Sequence, residues 1–334
     1  MLCTHRSDKK FSEFLSSKCL TSYKDIFMYT ALISVTVVTY NSEETVLSTL
    51  NSIKEQTYDN IEIVVSDDCS TDNTLQLVKS WLADNGSRFK SFILLEMEKN
   101  KGVSANSNNA MKNCRGEWIL GMAGDDILKP DAISNYMAYI EKNSAAQIVF
   151  SKCQDFTENA KGITYGRIRP DDKVKAFFGK SLEEQLKELL FVNYIPAPSK
   201  IIKRELIINK YPREEKYRYF EDYPYWVKLL RNGIKFYFMD SVTVLYRQNE
   251  SASHSKNRYV NERLFLENER FFFEEIYPQN RENVSLVRYK RAIFFIQEFE
   301  VMFLNNNKSN LLGRLLLKYI RRVLTKWAGR PITF

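Results

Sequence analysis

The chain has 334 residues, 44% hydrophobic and 27% charged, with only 11 Gly and 8 Pro, which excludes wholesale disorder and collagenous or low-complexity architecture. Its length suits one large α/β domain with extensions or two unequal domains. The net charge of +8 resides in the tail, because residues 308–334 hold seven basic and no acidic residues while the remainder carries 42 basic against 41 acidic. A basic surface over the whole protein is therefore absent, and nucleic acid is not an expected partner.

Residues 1–30 have no clear period and read as an N-terminal extension, with no apolar h-region in the first ten. Leu32–Thr39 is a near-continuous β-branched run, as a strand buried on both faces requires. Ser42 offers an N-cap to a helix whose apolar face would comprise Val46, Leu47, Leu50 and Ile53. Ile61–Ser66 reads as a second strand, and Leu75, Leu77, Val78, Trp81 and Leu82 suit a second helix. Phe92–Leu95 and Trp118–Met122 read as further strands around a helix over Val103–Asn113. A helix after Pro130 and a strand at Gln147–Ser151 follow. This alternation predicts a doubly wound, mostly parallel sheet flanked by helices.

The second half is less regular. Leu182–Phe191 and Tyr223–Arg231 read as helices, the latter stopped by Gly233, and Lys235–Tyr246 as one or two strands. Beyond Arg258 the pattern is helical. No apolar run approaches the ~20 residues of a spanning helix, and a cytoplasmic location is expected.

Ligands of doubly wound sheets bind beyond the carboxyl ends of the strands. Here those ends read Thr39-Tyr40-Asn41, Asp67-Asp68-Cys69-Ser70-Thr71-Asp72 and Gly124-Asp125-Asp126. Any one cluster could simply cap the helix that follows. Together they deliver carboxylates, a hydroxyl and an aromatic ring to one rim. Neither GxGxxG nor the P-loop pattern follows the first strand, so phosphate would be neutralised through a metal rather than a glycine cradle. Cys3, Cys19, Cys69, Cys114 and Cys153 lack CxxC spacing and read as free thiols; the two histidines are His5 and His254. Oxygen ligands and a hard divalent cation, Mn²⁺ or Mg²⁺, are what remain.

The run VTVVTYNSEETVLSTLNSIKEQTYDNIEIVVSDDCSTDNT, followed by NKGVSANSNNAMKNCRGEWI and GDDILKPDAI, resembles the family-two glycosyltransferases over roughly residues 32–250. The resemblance implies a GT-A fold and inverting transfer from a nucleotide sugar, UDP-linked by expectation, to a glycan or lipid-linked acceptor in surface polysaccharide synthesis. It places Thr39 and Tyr40 in the base pocket, Asp68 on the base, and Asn100 and Lys101 on the adjoining loop. Asp125 falls at the last carboxylate of the metal-binding DxD, with Asp126 beside it. Glu221-Asp222 matches the family's ED motif, which supplies the general base; Asp222 is the first choice and Glu221 the alternative. Taken alone, two acids at a helix N-terminus also suit the helix dipole.

Three positions depart from the pattern. Ala123 replaces the first Asp of DxD, Ser107 replaces a common Arg, and Asn249 stands where many members carry a metal-ligating His, with His254 five residues on. Residues 193–199, with two prolines, border the acceptor in the family or serve as a connector. The implied organisation is an extension (1–30), a catalytic domain (31–255, divided at 150 into nucleotide-sugar and acceptor halves) and a helical region (256–334). Two other readings stay open: a nucleotide-sugar-binding scaffold without turnover, and a nucleotidyltransferase, whose basic Gly-rich first loop is missing.

The tail is amphipathic. On a helical wheel Leu312, Leu316, Tyr319, Ile320, Val323 and Trp327 share about 100° of arc, opposite Arg314, Lys318, Arg321, Arg322 and Lys326. Such a helix can lie in an anionic membrane interface, with residues 308–330 as the contact, or pack its apolar stripe on the protein's own core.

Overall fold

The computed structural model describes residues 30–159, 162–193, 195–219, 221–248, 261–303 and 311–328. The extension before residue 30, Tyr194, Phe220, Asn249, His254 and both ends of the basic tail lie outside them.

Strand β1 (Ile33–Thr39) is central to the first half of the sheet. It pairs in parallel with β2 (Ile61–Asp67) on one side and β4 (Trp118–Ala123) on the other, and β2 pairs in parallel with β3 (Ser91–Glu96). Thr39 is level with Asp67, and Val38 with Ala123, so three strand ends meet at one rim. The rest of the sheet is mixed. β8 (Lys200–Lys203) runs antiparallel to β4 and to β6 (Ile148–Asn159), β9 (Tyr237–Arg247) runs parallel to β6, and β5 (Ile127–Leu128) pairs antiparallel with β9. β7 (Gly162–Arg169) forms a hairpin on β6.

Helices cover both faces, as a buried parallel sheet requires. On one face α1 (Val46–Lys54), α2 (Thr74–Asn85) and α4 (Ala132–Lys142) pack Leu50, Trp81 and Tyr136 against the odd-numbered residues Ile33, Val35 and Val37 of β1. On the other lie α3 (Val103–Lys112), α6 (Leu182–Phe191) and α7 (Asp222–Arg231). Their Met111, Leu189 and Trp226 form one continuous core with Phe272, Leu286 and Leu317 from the C-terminal region. That region comprises α8 (Glu262–Phe271), α9 (Val284–Phe303) and α10 (Leu311–Ala328), while α5 (Asp172–Phe178) precedes α6.

Some local expectations fail. Ser42 does not cap α1 through its side chain: residues 43–45 form a turn whose Thr45 and Val46 amides donate to the Ser42 carbonyl at 3.0 and 2.9 Å. Leu47, placed on the apolar face, points outward. The β1 run is not uniformly apolar in effect either. Ser34 faces the second core side and donates to the buried Glu62, which also accepts from Ser91 and the Gly116 amide. A Cβ on Gly116 would lie 2.5 Å from the Ser34 hydroxyl, so only glycine fits this junction.

Helix α10 turns to the core a stripe beside the expected apolar arc, of whose members Ile320 alone packs inward. Gly313, Leu317 and Ala328 are buried, Ile320 and Leu324 pack on the core, and Arg321 pairs with the buried Glu300 at 3.1 Å. Leu312, Leu316, Tyr319, Val323 and Trp327 remain exposed, beside the exposed Arg314, Lys318, Arg322 and Lys326.

Candidate active site

At the rim, the Thr39 hydroxyl is buried and donates to Asp67 at 2.7 Å, which also accepts from the Ser70 amide and hydroxyl. Tyr40, just beyond, is 49% exposed and available to a ligand. Asp68 spends both carboxylate oxygens on the neighbouring loop: they accept from the amides of Lys101 and Gly102 at 2.8 Å each. Burial raises its pKa, against the pull of these amides and of Arg218. Gly102 adopts φ +89, and a Cβ there would meet the Arg218 stem at 2.5 Å. Arg218 in turn donates to the Asn100 side chain at 2.5 Å. Asp68, Asn100 and Lys101 thus sit in one hydrogen-bonded unit, with Arg218 reaching in from the segment before α7.

Beside this rim, on the α3 face of the sheet, is a cavity of about 490 Å³. Thr36 and Ala123 floor it, Ser107 of α3 borders it, and Asp125, Asp126, Glu221 and Asp222 all face it. The structure therefore brings the two sequence-predicted carboxylate pairs together although they are about a hundred residues apart. Thr39, Tyr40, Asp68, Asn100 and Lys101 lie outside this cavity, along the adjoining rim.

The Asp125 and Asp126 carboxylates differ in their engagement. Asp126 is 1% exposed and accepts from the Arg247 amide at 3.0 Å. Burial, and then the charge of Asp125, hold it well above the carboxylate range. Asp125 is raised by burial too, but only its carbonyl is tied into the fold, by Arg247 Nε at 2.8 Å. Arg247 also donates to Glu158 at 2.6 Å and to Ser48 at 3.2 Å, and stacks over Phe156 at 4.5 Å. It fixes the loop that presents Asp125. Two carboxylates, with phosphate and water completing the shell, suit a hard divalent cation; among the described residues no group of three His, Cys, Asp or Glu is assembled as a metal cage.

Glu221 and Asp222 open α7, where the helix dipole favours negative charge. Burial and the charge of Asp222 push the Glu221 pKa up to about 7, opposed by Arg213 and Lys200. Lys200, at the start of β8, is itself pushed down to about 8 by burial. Sequence reasoning passed over Arg247, Lys200 and Arg213. The signal available was slight: a lysine at each end of the short strand β8, and an arginine ending β9.

The fold matches solved glycosyltransferases. The structure of Staphylococcus aureus TarS 1–349 in complex with UDP-GlcNAc aligns with a TM-score of 0.56 and 21% identity, covering 88% of this chain and 80% of that one. The mannosyltransferase PcManGT from Pyrobaculum calidifontis, in complex with GDP-Man and Mn²⁺, aligns with a TM-score of 0.53 and 18% identity, covering 90% and 84%. In sequence, the Escherichia coli UDP-Glc:alpha-D-GlcNAc-diphosphoundecaprenol beta-1,3-glucosyltransferase WfaP is 27% identical over 229 residues, 68% of this chain and 81% of WfaP. The family model described as glycosyl transferase family 2 matches residues 34–207, over half the chain, which removes the nucleotidyltransferase reading. A GT-A sheet with its carboxylates gathered at one rim and an adjoining cavity, carried by this sequence, makes the chain an enzyme of glycosyl transferase family 2.

Proposed function

We propose that this enzyme moves a sugar from a UDP-sugar to a hydroxyl of a glycan or lipid-linked acceptor in surface polysaccharide synthesis, by a single displacement with inversion. One observation carries the reading: a single cavity has Asp125 and Asp126 facing it from the β4 end and Glu221 and Asp222 from α7. Tyr40 and the Asp68–Asn100–Lys101 unit would receive the nucleotide, and Arg247 keeps Asp125 in place. Asp125, with Asp126 adjacent, would hold a divalent cation, which when bound neutralises charge on the diphosphate. Asp222, or Glu221, accepts the proton of the acceptor hydroxyl. A hydroxyl is far less acidic than a carboxylic acid, so this transfer runs late, concerted with attack.

UDP release from a panel of UDP-sugars, with and without polyprenyl-diphosphate glycans, tests the proposal. Release dependent on both donor and acceptor supports it; UDP binding without turnover would leave a scaffold. A pH dependence follows from Glu221. Its raised pKa means that the acid pair carries a proton below neutrality, so kcat/KM should rise with pH through an apparent pKa near 7. Glu221→Gln should remove that limb, because the group that titrates near 7 is gone. A profile flat through neutrality contradicts the assignment.

No helix among the described residues is long and apolar enough to cross a membrane. The exposed arc of α10, with Trp327 and Tyr319 beside four basic side chains, supports peripheral association with the inner face of the plasma membrane. Each basic residue near an anionic surface contributes ~1 kcal/mol, screened by salt. Co-sedimentation with phosphatidylglycerol vesicles should be strong at low salt and lost in a Tyr319→Ser/Trp327→Ser variant of unchanged melting temperature. Undiminished binding by that variant would remove α10 from the interface.

A further inference from the structure

The cavity also has a cationic wall that the proposed chemistry does not use. Lys200 is 8% exposed and Arg213 7% exposed, and both line the cavity. Lys200 Nζ donates to the Ala197 carbonyl at 2.5 Å and lies over the Trp226 ring at 5.5 Å. The Arg213 guanidinium lies over Tyr225 at 5.2 Å, and its Nε has no hydrogen-bond partner. Among the described residues neither forms an ion pair within 4.0 Å, although both act on Glu221 from beyond that distance. A guanidinium stays charged at any physiological pH, and burying it without a partner is costly. Such a group is accounted for when a ligand supplies the anion.

The position of the wall identifies the ligand. A sugar in transit must lie between its leaving diphosphate, at Asp125, and the base, at Asp222, and all these residues line the same cavity. Ala123 lines it as well, so the cavity holds two cations and lacks one carboxylate expected of the motif. The local charge is thereby shifted toward accepting an anionic sugar.

We propose that Lys200 and Arg213 form a subsite for a carboxylate on the transferred sugar, so that the donor is a nucleoside diphosphate hexuronic acid. The planar N–H donors of the guanidinium are matched to a carboxylate, and Lys200 adds a point charge. This inference rests on the nucleotide-sugar reading above.

UDP-glucose and UDP-glucuronate differ only at C6, hydroxymethyl against carboxylate, and so isolate the charge. Calorimetric titration of the full chain in Mn²⁺ with UDP, UDP-glucose and UDP-glucuronate should show UDP-glucuronate binding about 10- to 100-fold more tightly than UDP-glucose. Arg213→Met should reduce that preference to near unity, with UDP affinity as the control for an intact fold. Equal affinities of the wild type for the two sugars would overturn the subsite without recourse to any variant, as they would if the cations served an anionic acceptor. Equal weakening of both sugars by Arg213→Met would also overturn it. Failure to bind UDP at all would instead overturn the nucleotide-sugar reading and the subsite with it.

Discussion

Asp222→Asn is expected to lower the transfer rate by ~10²–10⁴-fold while leaving UDP-sugar affinity nearly unchanged. The side chain stands in the first turn of α7 and faces the cavity that Asp125 also lines. A base acts on the acceptor, so its loss belongs to kcat rather than to donor binding. The amide keeps the shape but cannot take a proton. Glu221 is the rival. Its pKa of about 7 suits proton transfer near neutrality, yet leaves it partly protonated there. Glu221→Gln should therefore cost less than Asp222→Asn. A larger loss in Glu221→Gln would exchange the two roles.

Asp125→Ala should abolish measurable transfer, a loss of about 10³-fold or more, together with any Mn²⁺ or Mg²⁺ enhancement of UDP binding. Its carboxylate is held by its own backbone amide and Arg247 grips the carbonyl, so the melting temperature should hold. Asp126 behaves differently. Its buried carboxylate accepts from the Arg247 amide, and Asp126→Ala should cost roughly 1–3 kcal/mol of stability. Full activity of the wild type in EDTA would contradict the metal assignment.

The parallel half of the sheet was legible in the sequence because strands buried on both faces leave unbroken apolar runs, as in β1 and β2. β7 was missed, since it is exposed along nearly its whole length and carries no alternation of buried and solvated residues. β6 extends eight residues past its expected end at Ser151 because that hairpin partner and β9 continue to pair with it. The carboxylates of the rim were readable from the rule that ligands gather at strand ends. Lys200, Arg213 and Arg247 were not, because each matters through desolvation and contacts made far along the chain. Spacing does not encode those. On α10 the arc of Leu312, Leu316, Tyr319, Val323 and Trp327 stays exposed and the core-facing stripe of Gly313, Leu317, Leu324 and Ala328 lies beside it, because that side meets Glu300 and the α9 surface, which the wheel cannot contain.

The central claim is a single displacement in which a carboxylate at the start of α7 activates the acceptor against a leaving group held near Asp125. Its most direct test is the anomeric configuration of the product formed from an α-linked UDP-sugar, read by proton NMR before any equilibration. The proposed mechanism requires a β-linked product, formed by the wild type and suppressed in Asp222→Asn. An α-linked product would contradict it, because one displacement from the face opposite the leaving group inverts the anomeric centre.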